Sequence, residues 1–431
     1  MEGNVNMKKA INVGVDIKNQ SEGFAYSMEE LAGLAAARHI EVVGELTQKL
    51  ARIHKAHYLG KGKIEELHEL IQRKDAEVII VNDELTASQI RVLEEKLGIV
   101  VSDRTMLILD IFAERAKTRE AQLQVEVARL EYMLPRLIGQ NEDLGRQGGG
   151  VGLNNRGSGE TKLELDRRKI EEKIAVLNKE LEELVAQRGI QRRKRQQSGL
   201  PVVSLVGYTN AGKSTIMNAM VEQFNPSSNK QVFEKDMLFA TLETSVRKIP
   251  MPANKSFLLT DTVGFVSKLP HHLVKAFRST LEEVVEADLI IHVVDYSEPN
   301  HENLMEVTKQ TLLSLGVENV PIIYALNKGD IIDVDIPAVE ENKVYLSAKQ
   351  RVGIHELIEV INREIFKDLI QCEMLIPFDQ GQVVANLNEQ ANVITTNYEE
   401  NGTRLTVECT QAYITRYQQY IISQNGNPER V

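Results

Sequence analysis

The hydrophobic pattern changes character along the chain, and each change predicts a different kind of element. Residues 1 to about 115 alternate short apolar runs with amphipathic stretches. Ile40 to Leu46, Val78 to Asn82 and Ile99 to Ser102 read as strands, and Ile11 to Ile17 is a strand-like run interrupted by Gly14 and Asp16. Met28 to Ala36, Lys63 to Gln72, Ser88 to Leu97 and Arg104 to Ala116 read as helices. This alternation predicts a small α/β domain with a mostly parallel sheet. Beyond it, Leu123, Val127, Leu130, Leu134 and Leu137 step by four and three, as do Ile170, Ile174, Leu177, Leu181 and Leu184, with Leu163 one heptad before Ile170. Two such stripes separated by a loop predict an antiparallel helical hairpin packed like a coiled coil, the stripes being core. From Leu200 to about Phe366 the order is that of a nucleotide-binding α/β domain. The tail carries strand-like Val383 to Leu387, Val393 to Thr395 and Thr403 to Val407, then a helix-like Thr410 to Ile422, a small α+β appendage.

A chain of 431 residues is too long for one core and suggests about three domains at ~150 residues each. Charged residues at 26 % and hydrophobic ones at 42 % belong to an ordinary globular protein. No apolar stretch approaches the ~20 residues that span a bilayer, and the N-terminus does not read as a signal peptide. The two cysteines, Cys372 and Cys409, are too few for a disulfide framework or a cysteine-rich zinc site, so a reducing cytoplasm is expected. The net charge of −11 argues against non-specific coating of nucleic acid, and no DNA partner is expected. Positive charge does gather at Arg188, Arg192, Arg193, Lys194 and Arg195, which reads either as a solvated linker or as an RNA contact. The loop of the hairpin, LGRQGGGVGLNNRGSGE from Leu144 to Glu160, is also open to two readings. It is a flexible linker, or a backbone-rich tip in which Arg146 and Arg156 meet phosphate while Gly148, Gly149 and Gly150 permit close approach to RNA.

Chemistry concentrates in four segments that occur in order after strand-like runs: GYTNAGKST at 207–215, DTVG at 261–264, NKGD at 327–330 and SAK at 347–349. In the first, the backbone from Gly207 through Tyr208, Thr209, Asn210, Ala211 and Gly212 can wrap phosphates, and Lys213 can reach the β and γ oxygens. Ser214 can ligate Mg²⁺, Thr215 follows it into the helix, and the helix N-terminus adds its dipole. Asp261 is expected to reach Mg²⁺ through water, and Gly264 to offer its N–H to the γ-phosphate. The guanine base is assigned to Asn327, Lys328 and Asp330, because the Asp330 carboxylate can accept from N1–H and the exocyclic amine that adenine lacks. Ser347, Ala348 and Lys349 complete that pocket. The expected domain is thus a P-loop GTPase domain with GTP and GDP as ligands. Thr241 is expected to sense the γ-phosphate and Mg²⁺ from the first switch, Thr244 being the weaker candidate. Phe265 follows DTVG where many GTPases place glutamine, and a phenyl ring cannot orient the attacking water, so intrinsic hydrolysis should be slow. Asn210 reads either as a turn residue or as a ligand to potassium beside the phosphates. The histidines lack a metal-like partner set, and no Ser-His-Asp arrangement emerges.

The chain resembles the HflX family of ribosome-associated GTPases over nearly its whole length. In the nucleotide domain the resemblance rests on GYTNAGKST, FATLE (239–243), DTVGFV (261–266), TLEEV (280–284), ADLIIHVVD (287–295) and NKGD. More specific are YLGKGKIEEL (58–67), DRTMLILDIFAERAKT (103–118), RQGGG (146–150) and GETKLELDRR (159–168). The resemblance implies a cytoplasmic GTPase that binds the large ribosomal subunit and splits stalled or idle ribosomes, notably under stress. It further implies a glycine-rich tip directed at the peptidyl-transferase region and a nucleotide domain facing the factor-binding site. The chain departs from the family in a longer glycine loop (Leu153 to Asn155), in Ser158 where proline is common, and in Gly329 within the guanine motif. The competing functions are a GTP-gated assembly or hibernation factor that does not split ribosomes, and an ATP-dependent RNA-remodelling enzyme. GKGK at 60–63 lacks the spacing of a second phosphate loop.

Overall fold

The computed structural model describes residues 7–17, 23–138, 156–196, 200–224, 238–239, 244–251, 255–268 and 283–425. The N-terminal part runs β1 (Lys8–Ile17), α1 (Phe24–Ala37), β2 (Ile40–Leu50), α2 (Lys61–Lys74), β3 (Val78–Val81), α3 (Ala87–Leu97), β4 (Val100–Asp103) and α4 (Arg104–Arg115). Its four strands are all parallel in the order β2-β1-β3-β4, as the alternation predicted. Val78 to Val81 are buried throughout, the signature of a strand covered on both faces. α3 starts on a capping box, with the Thr86 side chain accepting from Gln89 N and the Gln89 side chain accepting from Thr86 N.

The junction between β4 and α4 is densely hydrogen-bonded. Asp103, fully buried, caps α4 by accepting from Met106 N at 2.9 Å, and it accepts from Leu85 N at 2.9 Å through its other oxygen. The Tyr132 hydroxyl donates to that same oxygen. Burial pushes the Asp103 carboxyl up, while the hydrogen bonds it accepts and the Arg136 charge pull it back. Arg136 donates to Leu85 O at 2.7 Å and lies over the Tyr132 ring.

Tyr132 and Arg136 belong to α5 (Arg119–Ile138), which forms the hairpin with α6 (Arg156–Gln196). The predicted stripes meet: Leu123, Val127 and Leu177 are buried together with Leu130, Ile174, Leu181 and Leu184 against them. Arg119 pairs with Glu180 at 2.7 Å, Glu126 with Lys173 at 2.6 Å, and Glu120 with Arg188, so the helices run antiparallel. The basic run from Arg188, read either as a solvated linker or as an RNA contact, lies on the last turns of α6, which continues to Gln196. Its helical spacing lets Arg188 answer a carboxylate across the hairpin.

The nucleotide domain comprises β5 (Val202–Gly207), α7 (Lys213–Phe224), β6 (Ser245–Pro250), β7 (Ser256–Asp261), β8 (Leu289–Asp295), α8 (His301–Ser314), β9 (Ile322–Asn327), β10 (Ala338–Glu340), β11 (Lys343–Tyr345) and α9 (Ile354–Ile365). The sheet order is β10-β11-β9-β8-β5-β7-β6, antiparallel at its two edge pairs and parallel elsewhere. The last part folds as β12 (Ile370–Ile376), α10 (Gly381–Gln390), β13 (Asn392–Glu399), β14 (Gly402–Cys409), α11 (Gln411–Arg416) and β15 (Ile421–Asn425) around an antiparallel sheet. Two expectations fail there. Val383 to Leu387 is helical, because its apolar residues at 383, 384 and 387 pack on one side over the sheet. Thr410 to Ile422 is a short helix that gives way to an edge strand at Ile421.

The core below the nucleotide loop is shared. Leu31, Leu34, Ile108 and Phe112 from α1 and α4 form one buried cluster with Val206, Tyr208, Val263, Phe265 and Val266. Phe112 meets Phe239 edge to face at 4.6 Å. Phe112→Ala should therefore lower stability by about 3–5 kcal/mol, the usual cost of emptying a buried phenyl site. Urea unfolding followed by circular dichroism measures this, and a loss under about 1 kcal/mol would show that the seam does not bind the two parts together.

Candidate nucleotide site

β5 ends in the loop because its run of apolar residues stops at Gly207, and α7 begins at Lys213. Between them, Asn210 is exposed at φ +62°, a left-handed turn position that asparagine tolerates. Gly212 has φ +98°, and a β-carbon there would stand 2.2 Å from Asn327 Nδ2. The loop must therefore carry glycine for Asn327 to reach it. Asn327, at the end of β9, donates to Ala211 O at 2.9 Å and accepts from Ala348 N at 2.9 Å. One buried amide thus joins three of the four sequence motifs. Ser347 and Ala348 are fully buried, whereas Lys349 is exposed. Lys328 sits at φ +66° and donates to Asp295 Oδ2 at 2.6 Å. Asp330 follows in a half-buried 3₁₀ turn.

Lys213 is buried and donates to Gly207 O at 3.1 Å and Tyr208 O at 2.8 Å, which folds its ammonium back over the loop. Burial pulls the amine down to about 8, and the Asp261 carboxylate works in the opposite direction. Ser214 Oγ donates to Asp261 Oδ2 at 2.6 Å. A hydroxyl and a carboxylate held together at a helix start are hard oxygen donors that fit Mg²⁺. Thr215 is half-buried on α7. Gly264 lies against the loop so closely that a β-carbon would come within 2.8 Å of Thr209 and 2.9 Å of Lys213 Nζ.

The DTVG segment is stitched to the phosphate loop through the backbone of its successor. Thr209 N donates to Phe265 O at 2.8 Å, and Phe265 N donates to Gly207 O at 3.1 Å. Phe265 itself is buried in the shared core, so its ring packs away from the loop. Beside it, His292 on β8 is buried and pushed down to about 4, mainly by burial and further by the Lys213 charge. It stays neutral at physiological pH.

The structure brings together Gly207 through Thr215, Asp261, Gly264, Asn327 and the 347–349 segment. Thr241 lies outside the described residues, as do Arg146, Gly148, Gly149 and Gly150. Arg156 opens α6, but its side chain is also outside them. Sequence reasoning gave Tyr208 no role beyond its backbone and missed Glu30 and Arg104 altogether. The buried Glu30 carboxylate accepts from the Tyr208 hydroxyl and pairs with Arg104. A signal existed, because Glu30 stands at stripe spacing with Ser27, Leu31 and Leu34 on the buried face of α1.

Three family models match this chain. Residues 25–113 match GTP-binding GTPase N-terminal, 115–195 match GTP-binding GTPase Middle Region, and 202–328 match 50S ribosome-binding GTPase. GTPase HflX of Caldanaerobacter subterraneus subsp. tengcongensis is 44 % identical over 416 residues, covering 96 % of this chain and 94 % of that protein. The chain belongs to the HflX family of GTPases. Two further HflX relatives are similar: that of Alkalihalophilus pseudofirmus at 40 % identity, covering 93 % of each chain, and that of Escherichia coli at 35 %, covering 87 % of each. Among solved structures, a GTP-binding protein from Sulfolobus solfataricus in complex with GDP has 23 % identity and a TM-score of 0.44, covering 84 % of this chain and 99 % of that one. As an HflX protein the chain is a GTP hydrolase, and no described helix is long and apolar enough to cross a membrane.

Asn327→Ala should weaken GDP binding roughly ten- to a hundredfold, the worth of two lost buried hydrogen bonds. Titration with a fluorescent GDP analogue measures this. An unchanged affinity would mean that Ala211 and Ala348 hold their places without the amide.

Proposed function

We propose that this HflX protein uses GTP in the cytoplasm to separate the subunits of stalled or idle ribosomes, working from the large subunit and its rRNA, notably under stress. The observation that carries the enzymatic half is the stitching of DTVG onto the phosphate loop. It sets the Gly264 backbone beside Lys213, where charge develops on a transferred phosphoryl group. In this reading Lys213 and the loop amides neutralise the phosphates, and Ser214 and Asp261, with Thr241, hold Mg²⁺. Asn327, Lys328, Asp330 and the 347–349 segment then hold guanine. The metal, when bound, neutralises phosphate charge. No glutamine follows Gly264 to orient water, which supports hydrolysis that is slow until a partner orders the switches.

The ribosomal half is supported by family membership, by the matched description of a 50S ribosome-binding GTPase, and by the hairpin. Its 41-residue α6 extends about 60 Å. The segment 139–155 joins the two helices in sequence, and its Arg146, Gly148, Gly149 and Gly150, with Arg156 at the start of α6, are the candidate rRNA contacts.

Purified large subunits should raise GTP turnover at least about tenfold, a modest share of what ordering a catalytic constellation can supply, and Lys213→Ala should abolish it. With GTP, light scattering from intact ribosomes should fall as subunits part. Stimulated turnover with unchanged scattering would sink splitting and leave an assembly or hibernation factor. No stimulation would remove the ribosome as activating partner.

A potassium ion beside the phosphates is the second reading of Asn210, which is exposed at φ +62° in the loop. Turnover should then be faster in KCl than in NaCl at equal ionic strength, and equal rates leave Asn210 as a turn residue alone.

A further inference from the structure

Glu30 lies on α1, well outside every nucleotide motif, yet its carboxylate gathers residues from both sides of the site. One oxygen accepts from the Tyr208 hydroxyl, in the phosphate loop, and from Ser267 N at 3.3 Å. The other accepts from Ser267 Oγ and from Arg104 Nη2. Ser267 stands three residues after Gly264, and its N–H also donates to the Tyr208 hydroxyl. Arg104 closes the cluster by donating to Ser267 Oγ at 2.9 Å, Asn82 Oδ1 at 2.9 Å and Ser27 O at 3.2 Å. The side chains of Glu30 and Arg104 are each 2 % exposed.

A buried ion pair is a poor adhesive. Well-packed apolar residues of the same volume usually hold an interface as well or better, because taking two charges out of water costs several kcal/mol each. What the pair supplies is geometry: a buried carboxylate has fixed lone pairs, and each here is matched to a named donor. Apart from Arg104, at the start of α4, those donors sit on the phosphate loop and on the segment that carries Gly264. The site's other anchors are separate. Asn327 holds Ala211 and Ala348, and Lys328 is held by Asp295, none of them touching Glu30.

We infer that Glu30 is a positioning residue for GTP hydrolysis, fixing the segment that carries Gly264 against the phosphate loop through Tyr208 and Ser267. Gly264 is pinned from both flanks. On one side Thr262 Oγ1 donates to Leu205 O at 2.8 Å, and on the other stand the Phe265 backbone pair and the Glu30 cluster. Removing the Tyr208 hydroxyl takes away a donor to Glu30 and an acceptor for Ser267 N, and it loosens only the second flank. The nucleotide itself is gripped by loop amides and the guanine motif, which keep their own bonds. Chemistry should therefore suffer while binding does not.

Tyr208→Phe tests this, because the ring stays in the shared core and only the oxygen is lost. The inference rests on the GTPase activity and not on the ribosomal reading, so the assay uses the full chain without ribosomes. Turnover is measured under multiple- and single-turnover conditions, alongside GTP and GDP affinities. The expected result is a fall in kcat of about tenfold, the worth of one hydrogen bond to a charged group, with KM and both affinities within twofold. Ser267→Ala should behave alike, and the double variant should fall short of the product of the two, since both act through one carboxylate. Wild-type kcat in a folded Tyr208→Phe protein would overturn the inference, as would a KM that rises with kcat unchanged. A rise in kcat would also overturn it, by showing that the cluster restrains the segment.

Discussion

The structure depends on an apolar seam that closes the back of the nucleotide loop. A phosphate-binding loop must point its amides at a ligand, so its stability has to come from the opposite face. Here that face is not completed by the nucleotide domain alone. Helices α1 and α4 of the N-terminal part supply Leu31, Leu34, Ile108 and Phe112 to the same cluster as Val206, Val263, Phe265 and Val266. The ends of β5 and β7 are thereby buried on a surface contributed from more than ninety residues away in sequence. This is why Phe265 can be apolar: its side chain serves the seam, and its backbone serves the loop.

Buried polar groups around the nucleotide loop have distinct tasks. Asn327 spends its amide on two backbone groups from different motifs. His292, beside the loop, is kept neutral by burial, so the positive charge folded over the loop is that of Lys213. That division suits phosphoryl transfer, where fixed charge and fixed donors matter more than proton shuttling.

Much of this was legible in the sequence. Alternation of apolar runs with amphipathic stretches located the helices and strands of the first hundred residues, because burial on two faces leaves continuous Val78–Val81 and one-sided burial leaves a helical stripe. The four nucleotide motifs converged as their order implied. What stayed hidden was of two kinds. Val383 to Leu387 is too short for its period to separate helix from strand, and packing over the C-terminal sheet decided it. The Glu30–Arg104 pair was hidden because each residue, read alone, is an ordinary charge on a helix. Only the tertiary fold shows that both are desolvated and facing. Arg188 is the converse: in a basic run that read as either linker or RNA contact, it pairs with Glu120 because α6 continues through it.

Asp103 and Arg104 are consecutive, joined by a single peptide bond where β4 hands over to α4. The first accepts from the hydroxyl of Tyr132 on α5 of the hairpin, while the second pairs with Glu30, whose carboxylate accepts from Tyr208 in the nucleotide loop. The planar peptide between them keeps their Cα atoms about 3.8 Å apart. One short stretch of backbone is therefore the mooring of both, the hairpin tied to it directly through Tyr132 and the nucleotide loop by way of Glu30 and Tyr208.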